Sequence, residues 1–289
     1  MKILIFGKTG QVGQELISLF TSEDIAHKSI SRNDCDYTNE SEIESLICSY
    51  KPNVIINAAA YTAVDDAERN REEAKTINSE FPKILAKLSS KNSILLVHYS
   101  TDYIFNGSSS IPIKENEAPS PINYYGITKL DGENHIINHH DKYMILRTSW
   151  VYSKSENNFF KKIISLLKLN NSINVINDQH GVPTSARFLS EITLSLLKNY
   201  SESFGIYNIV PNGKTTWYGF ANLIKDSLIE ENIIEDYKSI TPVSSDSYKT
   251  EAKRPLYSVL DNKKIVSLLK YRFYDWDMYV KKTIKELKS

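Results

Sequence analysis

The sequence predicts an α/β protein built on a doubly wound parallel sheet, with a second and smaller α/β lobe. Three observations carry this expectation. Short β-branched apolar runs alternate with amphipathic helical stretches through the first half of the chain, a glycine-rich turn follows the first run at once, and the alternation loosens after Trp150. Repeated strand, helix, strand units need right-handed crossovers, which put helices on both faces of a parallel sheet.

The expected strands are Lys2 to Phe6, Ala26 to Ile30, Val54 to Asn57, Ile94 to Ser100 and Tyr143 to Thr148. Between them Gln11 to Phe20, Glu40 to Tyr50, Phe81 to Lys91 and Tyr125 to Asn138 carry apolar residues at three- and four-residue spacing, the signature of helices with one buried face. Beyond Trp150 the expected helices are Phe159 to Lys168, Ala186 to Asn199 and Trp217 to Leu228, with short strands near Val175 and Tyr207. Two polar stretches, Tyr103 to Asn123 and Tyr237 to Leu260, are too long for ordinary connectors and read as binding segments. No Pro/Gly/Ser linker divides the 289 residues. The expectation is a nucleotide-binding domain over residues 1–152, rejoined by roughly 184–210, and a lobe mainly from 153–289, with the active site between them.

Lys+Arg 35 against Asp+Glu 35 leaves no net charge. That balance argues against nucleic acid and against an anionic membrane as partners, because both demand a cation excess. The N-terminal apolar run is broken at Gly7, too soon for a signal peptide or a span. Cys35 and Cys48 form no Cys-x-x-Cys pair, and the neighbours His139 and His140 cannot share a helix face, so no metal ligand is assigned. A cytoplasmic protein with a small-molecule substrate is expected.

Gly7-Lys8-Thr9-Gly10-Gln11-Val12-Gly13 stands between the first strand and the first helix. Gly7, Gly10 and Gly13 would let the turn tighten, bring backbone N–H groups to a pyrophosphate, and bring helix against strand, while the helix dipole favours the anion. A lone motif could be an ordinary turn, but its place at residue 7 marks a Rossmann-type dinucleotide site. A P-loop would need Gly-Lys-Ser/Thr, which is absent.

Tyr125 and Lys129 form Tyr-x-x-x-Lys, one helical turn apart on a common face. A carbonyl reductase needs a proton donor for the oxygen that gains charge as hydride arrives. A phenol could serve, with a nearby ammonium drawing its pKa down from about 10. With 18 tyrosines in the chain the pair alone could be accidental. Its context is His98-Tyr99-Ser100-Thr101-Asp102 at the carboxyl end of the fourth strand, where open α/β sheets bind ligands. The Thr101 hydroxyl could hydrogen-bond both a substrate carbonyl and Tyr125, although a Ser-Thr pair ending a strand is also a common cap.

These motifs resemble the dTDP-4-dehydrorhamnose reductase family, of the extended short-chain dehydrogenase/reductase type. The likeness extends through Asn57-Ala58-Ala59-Ala60-Tyr61-Thr62-Ala63-Val64-Asp65, Ser100-Thr101-Asp102-Tyr103-Ile104-Phe105, Tyr125-Gly126-Ile127-Thr128-Lys129-Leu130-Asp131-Gly132-Glu133, Arg147-Thr148-Ser149-Trp150-Val151-Tyr152, Asn157-Asn158-Phe159, Asp178-Gln179-His180-Gly181-Val182-Pro183-Thr184 and Arg254-Pro255. The resemblance implies reduction of a dTDP-linked 4-keto-6-deoxy sugar to dTDP-β-L-rhamnose, the last step of dTDP-L-rhamnose biosynthesis and a supply for polysaccharide. It implies Tyr125, Lys129 and Thr101 as the catalytic set. It gives Gln11, Val12, Asp36, Tyr37, Ala60 and Thr62 to the cofactor, and Asp102, Trp150 and Arg254 to the substrate. Trp150 could equally be a core plug, and Arg254 before Pro255 could be a plain turn; the family match favours binding for both. His180 stands where an aromatic residue is expected. Some members carry Mg2+ bridging acidic residues between subunits, for which Glu15 and Glu191 are counterparts unless they are solvated helix carboxylates. The assembly would be a monomer or a homodimer. A sibling 4-ketoreductase giving the C4 epimer, and a non-catalytic subunit of the same fold, are the alternatives; the intact Thr101, Tyr125 and Lys129 speak against the second.

Cofactor choice is read from Ile30-Ser31-Arg32-Asn33-Asp34. An acid at the end of the second strand selects NADH through the ribose hydroxyls, and a nearby Arg accepts the extra phosphate of NADPH. Ser31 and Arg32 occupy that place and Asp34 reads as too far along, so NADPH is expected, with NADH possible.

Overall fold

The computed structural model describes residues 1–155, 158–169, 172–198, 204–235 and 238–288. Asn157, Asn199 and Tyr237 therefore lie outside the described residues. The first half contains β1 (Ile3–Phe6), α1 (Gln11–Ser22), β2 (His27–Ile30), α2 (Glu40–Tyr50), β3 (Val54–Asn57), α3 (Val64–Ala67), α4 (Arg71–Lys75), α5 (Phe81–Lys91), β4 (Leu95–Thr101), α6 (Tyr124–His139) and β5 (Tyr143–Thr148). It continues with β6 (Val151–Tyr152), α7 (Phe159–Leu169), β7 (Ser172–Ile176), β8 (His180–Gly181), β9 (Thr184–Ser185), α8 (Ala186–Lys198) and β10 (Gly205–Asn208). The chain closes with β11 (Thr215–Thr216), α9 (Trp217–Glu230), β12 (Ser239–Val243), α10 (Lys263–Leu269) and α11 (Trp276–Lys285).

Six strands form one sheet in the order β10-β5-β4-β3-β1-β2, and every neighbouring pair is parallel. Its side chains alternate between two cores, as the two-residue period of a strand requires. Ile3, Ile5, Val54, Ile56 and Val97 face α1 and α8 through Leu16, Phe20 and Leu189, whereas Leu4, Phe6, Ile55 and Leu96 face α2 and α5 through Ile43, Ile47 and Leu85. Truncating a fully buried member such as Phe20 to Ala would cost about 3–5 kcal/mol. A third core is built on β7, paired in parallel with β12, and on Phe160, Leu167, Phe220, Ile224, Val280 and Ile284 from α7, α9 and α11.

The strand expected near Tyr207 is β10, which docks in register on β5, and α8 packs against α1 from the same side of the sheet. Residues 64–80, where no element is expected, form α3, α4 and a π-helical turn over Thr76–Glu80. The two long polar stretches are ordered against each other: Ile113 bridges Leu260, and Ile104, Phe105, Ile113, Tyr257 and Val259 share a small core. Among the described residues no helix is long and apolar enough to cross a membrane.

Candidate active site

The site lies along the carboxyl edge of the sheet. The chain leaves β1 through Gly7 in the left-handed region, φ +92°, a conformation that a residue with a Cβ reaches only with strain. A Cβ on Gly13 would lie 2.1 Å from the Gly7 carbonyl oxygen, so α1 approaches the turn as closely as glycine alone permits. No side chain caps α1, whose N-cap is Gly10, and its first N–H groups are left for a ligand. Gly7 and Gly10 line a cavity of about 430 Å³ together with Ser31, Arg32 and Tyr37 beyond β2 and Ala60 and Thr62 beyond β3.

Tyr37 closes the floor of that cavity. It is buried, stacked on Phe81 at 4.2 Å, donates to Ile30 O and accepts from the Gly7 N–H, each at 3.1 Å. Gln11, Val12, Gly13 and Asp36 stand outside this wall. Gln11 Oε1 accepts from Ser153 Oγ and Asn158 Nδ2, tying the start of α1 to the chain after β6. Val12 packs on the α1-side core, and Asp36 accepts from the Thr38 N–H and hydroxyl. Asp34 does not line the cavity: it pairs with Lys8 at 2.8 Å and folds back to accept from the Ser31 N–H at 2.7 Å, and together these hold its carboxyl far below the usual range. Arg32 is also engaged, by Glu73 at 2.7 Å across the cavity mouth.

Thr101 ends β4, and Tyr125 and Lys129 stand on α6, which the Asn123 side chain starts by accepting from the Gly126 N–H at 2.8 Å. Asn123 also donates to Lys253 O, fastening the helix start beneath the loop that carries Arg254. Tyr125 is buried edge-on to Tyr103, and burial pushes its phenol up to about 12, with the Thr101 hydroxyl as the hydrogen-bonding influence that pulls it down. The expected lowering by a lysine ammonium is not what acts on it. Lys129, 1% exposed, donates instead to Tyr99 O at 2.6 Å and lies 3.2 Å from His98 Nε2; burial lowers its pKa to about 8.

Asp102 is 2% exposed and accepts from Thr101 Oγ1 at 3.1 Å; burial pushes its carboxyl up to about 7 against the pull of the Ser258 and Thr101 hydroxyls. Arg254 grips Asp65 in a two-pronged pair, Nη2 to Oδ2 at 2.5 Å and Nη1 to Oδ1 at 3.1 Å. Trp150 has φ +47°, unusual for a bulky residue, and stacks on Trp217 at 3.6 Å with the rings 10° apart. Its other edge lies under Gly181, where a Cβ would meet the indole at 2.4 Å. One face of Trp150 is thus packed as a core plug would be.

Several residues that build this site carry no role in the sequence reading. Asn78, in the π-helical turn, accepts from the Tyr61 N–H and donates to Tyr61 O and Thr128 Oγ1, clamping the loop after β3 to α6. Glu133 holds Arg147 through bonds of 3.0, 3.2 and 2.7 Å, with both side chains buried. No local pattern marks Asn78, and Glu133 stands in a segment of the family resemblance without a role of its own. Glu73, His98 and Asn57 were also passed over, although the last two stand in segments singled out for other reasons.

The acidic face implied by the resemblance does not fit a divalent ion. Arg187 lies among its carboxylates, 3.2 Å from Glu191 and 2.7 Å from Glu286, and Glu15 also feels its charge. A guanidinium already supplies the positive charge that a metal would bring.

The family model described as RmlD substrate binding domain matches residues 1–289. The chain belongs to the dTDP-4-dehydrorhamnose reductase family. It is 38% identical to the dTDP-4-dehydrorhamnose reductase of Salmonella typhimurium, over 99% of this chain and 98% of that one. The solved structure of a dTDP-4-dehydrorhamnose reductase from Clostridium acetobutylicum superimposes with a TM-score of 0.92 at 34% identity, covering 100% of both chains. That of the Bacillus anthracis enzyme in complex with NADP gives a TM-score of 0.92 at 31% identity, covering 99% of both. Membership in this family accounts for the parallel sheet with its glycine turn, and it makes the edge where β1, β3 and β4 end the place to look for chemistry.

Proposed function

We propose that this chain reduces dTDP-4-dehydro-β-L-rhamnose to dTDP-β-L-rhamnose with NADPH, NADH being the weaker donor. The observation that carries the reading is that Thr101 at the end of β4 comes close enough to Tyr125 to lower its phenol pKa, with Lys129 one turn along α6, beside the glycine-turn cavity. Tyr61 links the two regions, since it lines the cavity and packs in the cluster that holds Tyr125.

The cavity, the uncapped α1 and the close Gly7–Gly13 approach suit a dinucleotide. Gly7, Gly10, Gln11, Val12 and Gly13 would border its pyrophosphate, Ser31, Arg32, Asp36 and Tyr37 its adenosine end, Ala60 and Thr62 the wall between, and Tyr125 and Lys129 the nicotinamide ribose. Bound nicotinamide supplies the hydride for C4 of the sugar. Tyr125 donates its proton to the oxygen on C4, and a phenol held near 12 enters that step fully protonated at neutral pH. Thr101, whose one hydroxyl proton goes to Asp102 in the free chain, would turn it to the ketone oxygen and so orient the carbonyl beside Tyr125.

On the substrate side, Asp102 reaches a sugar hydroxyl, the free part of Trp150 borders the ring, and Arg254 meets the diphosphate with its guanidinium already oriented by Asp65. The two-lobe division expected from the sequence fits this arrangement, with β10 and α8 returning to the nucleotide lobe. All of these residues belong to one chain, so neither a monomer nor a homodimer is required by the chemistry. The free thiols Cys35 and Cys48 suit a cytoplasmic location. The test is NADPH oxidation by the purified protein. Absorbance loss that depends on the dTDP-linked 4-keto sugar supports the reading, and none with that sugar overturns it.

A further inference from the structure

Trp150 stands two residues beyond Thr148, the in-register partner of Thr101, so the chain carries it off the sheet at the edge where Thr101 lies. Its φ of +47° is a left-handed conformation that a bulky residue holds only where its surroundings impose it. The backbone on both sides supplies part of that constraint. Ser149 Oγ donates to Val182 O at 2.8 Å, the Trp150 carbonyl accepts from the Thr184 N–H at 3.2 Å, and β6 then pairs with β9.

A two-stranded ribbon holds the side chain. β8 and β11 pair antiparallel, with Thr215 opposite Gly181 and Thr216 opposite His180, and Trp217 follows at once as the first residue of α9. Trp217 covers one face of the Trp150 ring, 3.6 Å away and 10° from parallel. Gly181 covers the opposite face. A Cβ there would stand 2.4 Å from Cε2 and 2.7 Å from both of its ring neighbours, Cζ2 and Nε1, which is the place of an atom above the ring. Trp217 is locked in turn, because its Nε1 donates at 3.1 Å to Oε1 of the buried Gln179, one residue before β8. Thr216 Oγ1 accepts from the Gly219 N–H and donates to Asn177 Oδ1, which fixes the turn into α9.

With both faces covered, no sugar can stack on Trp150; only the rim of the ring is left. That rim carries Nε1–H, which donates and cannot accept. It is not sealed from solvent, and among the described residues it has no acceptor. A tryptophan N–H in a half-buried place ordinarily finds a partner. A plug between lobes would need neither the strained backbone nor the unpaired donor. We propose that Trp217, with Gly181 as its counterpart, is a positioning residue: the β8–β11 ribbon clips the Trp150 indole so that its N–H meets an oxygen of the substrate's 6-deoxy sugar. The proposal rests on the reading of Trp150 as a substrate residue of the reductase. It changes what Trp150 contributes there, from a stacking platform to one hydrogen bond donated from the rim, which fixes the rotation of the sugar beside Thr101 and Tyr125.

The chain has three tryptophans, so the indole signals of the 15N-tryptophan-labelled full chain can be assigned by substituting each in turn. NADPH is kept present, since it leaves dTDP-L-rhamnose unreacted. Adding dTDP-L-rhamnose should move the Trp150 Nε1–H signal downfield, and adding dTDP should not. Calorimetry should show dTDP-L-rhamnose binding more tightly than dTDP. Trp217→Leu should cut that ratio about fivefold, the worth of one neutral hydrogen bond, while leaving the affinity for dTDP in place. Trp150→Phe, which keeps a ring and loses the N–H, should cut it as much, and the double variant should fall no further. Trp217→Phe, which keeps an aromatic face on Trp150, should restore most of the ratio. A wild-type Trp150 signal unmoved by the sugar, or a wild type that binds the two ligands alike, overturns the proposal even if Trp217→Leu fails to fold. So does a Trp217→Leu protein that weakens both ligands equally, the result of a merely structural role. Loss of the reductase reading would appear separately, as the expected spectra and ratios in a protein that does not oxidise NADPH with the 4-keto sugar.

Discussion

Asp102→Asn isolates the energetic burden of the buried carboxyl beside Thr101. The carboxyl is 2% exposed, and its pKa is raised from 3.8 to about 7, mainly by burial. A carboxyl raised on folding weakens the native state wherever the unfolded chain is ionised and the native one is not. The penalty is absent below pH 3.8, grows between there and pH 7, and is level above. At about 1.4 kcal/mol per unit it amounts to about 2 kcal/mol at pH 5 and about 4 kcal/mol at pH 8. Asn keeps the acceptor for Thr101 Oγ1 and never ionises. Urea unfolding of wild type and variant at both pH values should therefore show the variant gaining about 2–3 kcal/mol on wild type between pH 5 and pH 8. Contributions common to both proteins cancel in the difference. Turnover with the 4-keto sugar should fall in the same variant, the usual exchange of stability for function at a site. A stability difference that is flat with pH, or that favours wild type at pH 8, would refute the assignment of a burial-raised pKa to this residue.

Tyr125→Phe should lower kcat by about two to four powers of ten while leaving cofactor affinity in place, measured by stopped-flow NADPH oxidation and by fluorescence titration; near-normal turnover would remove the phenol from the proton transfer. Arg32→Ala should lower the NADPH/NADH ratio of kcat/KM, and Glu73→Gln, which releases Arg32 from an exposed pair worth about 0.2–1 kcal/mol, should raise it by up to about fivefold. Ratios unmoved by both changes would mean that Arg32 does not read the phosphate. Because Arg187 occupies the acidic face, stripping divalent ions with EDTA should leave activity and the thermal midpoint unchanged, and a drop of several degrees restored by Mg2+ would show that a metal binds there after all.

What the sequence disclosed depended on how local the cause is. The first five strands and their helices are written in two- and 3.6-residue periods, and the Gly7 turn is written in a requirement that only glycine meets, so these are legible without a partner in view. Two-residue strands such as β6, β8 and β9 have no period to read, and α10 and α11 are short or carry charge on most turns; tertiary contact decides them. The same division runs through the site. Thr101, Tyr125 and Lys129 could be singled out because the chemistry proposed for them is tied to a spacing on one strand end and one helix. The ion pairs that engage Arg32 and Arg254 were not, because Glu73 and Asp65 reach them from 41 and 189 residues away. That difference alters the chemistry: a free Arg32 would strongly favour a phosphate, whereas one already paired with Glu73 gains only what the exchange of anions returns. The charge of Lys129 is the sharpest instance. A lysine four residues after a tyrosine suggests an ammonium tuning a phenol, but the folded chain buries Lys129 against the Tyr99 carbonyl and the His98 imidazole of β4, and burial lowers its pKa to about 8. Spacing can name the residues that act, while the protonation state in which they act is set by neighbours that only the folded chain brings together.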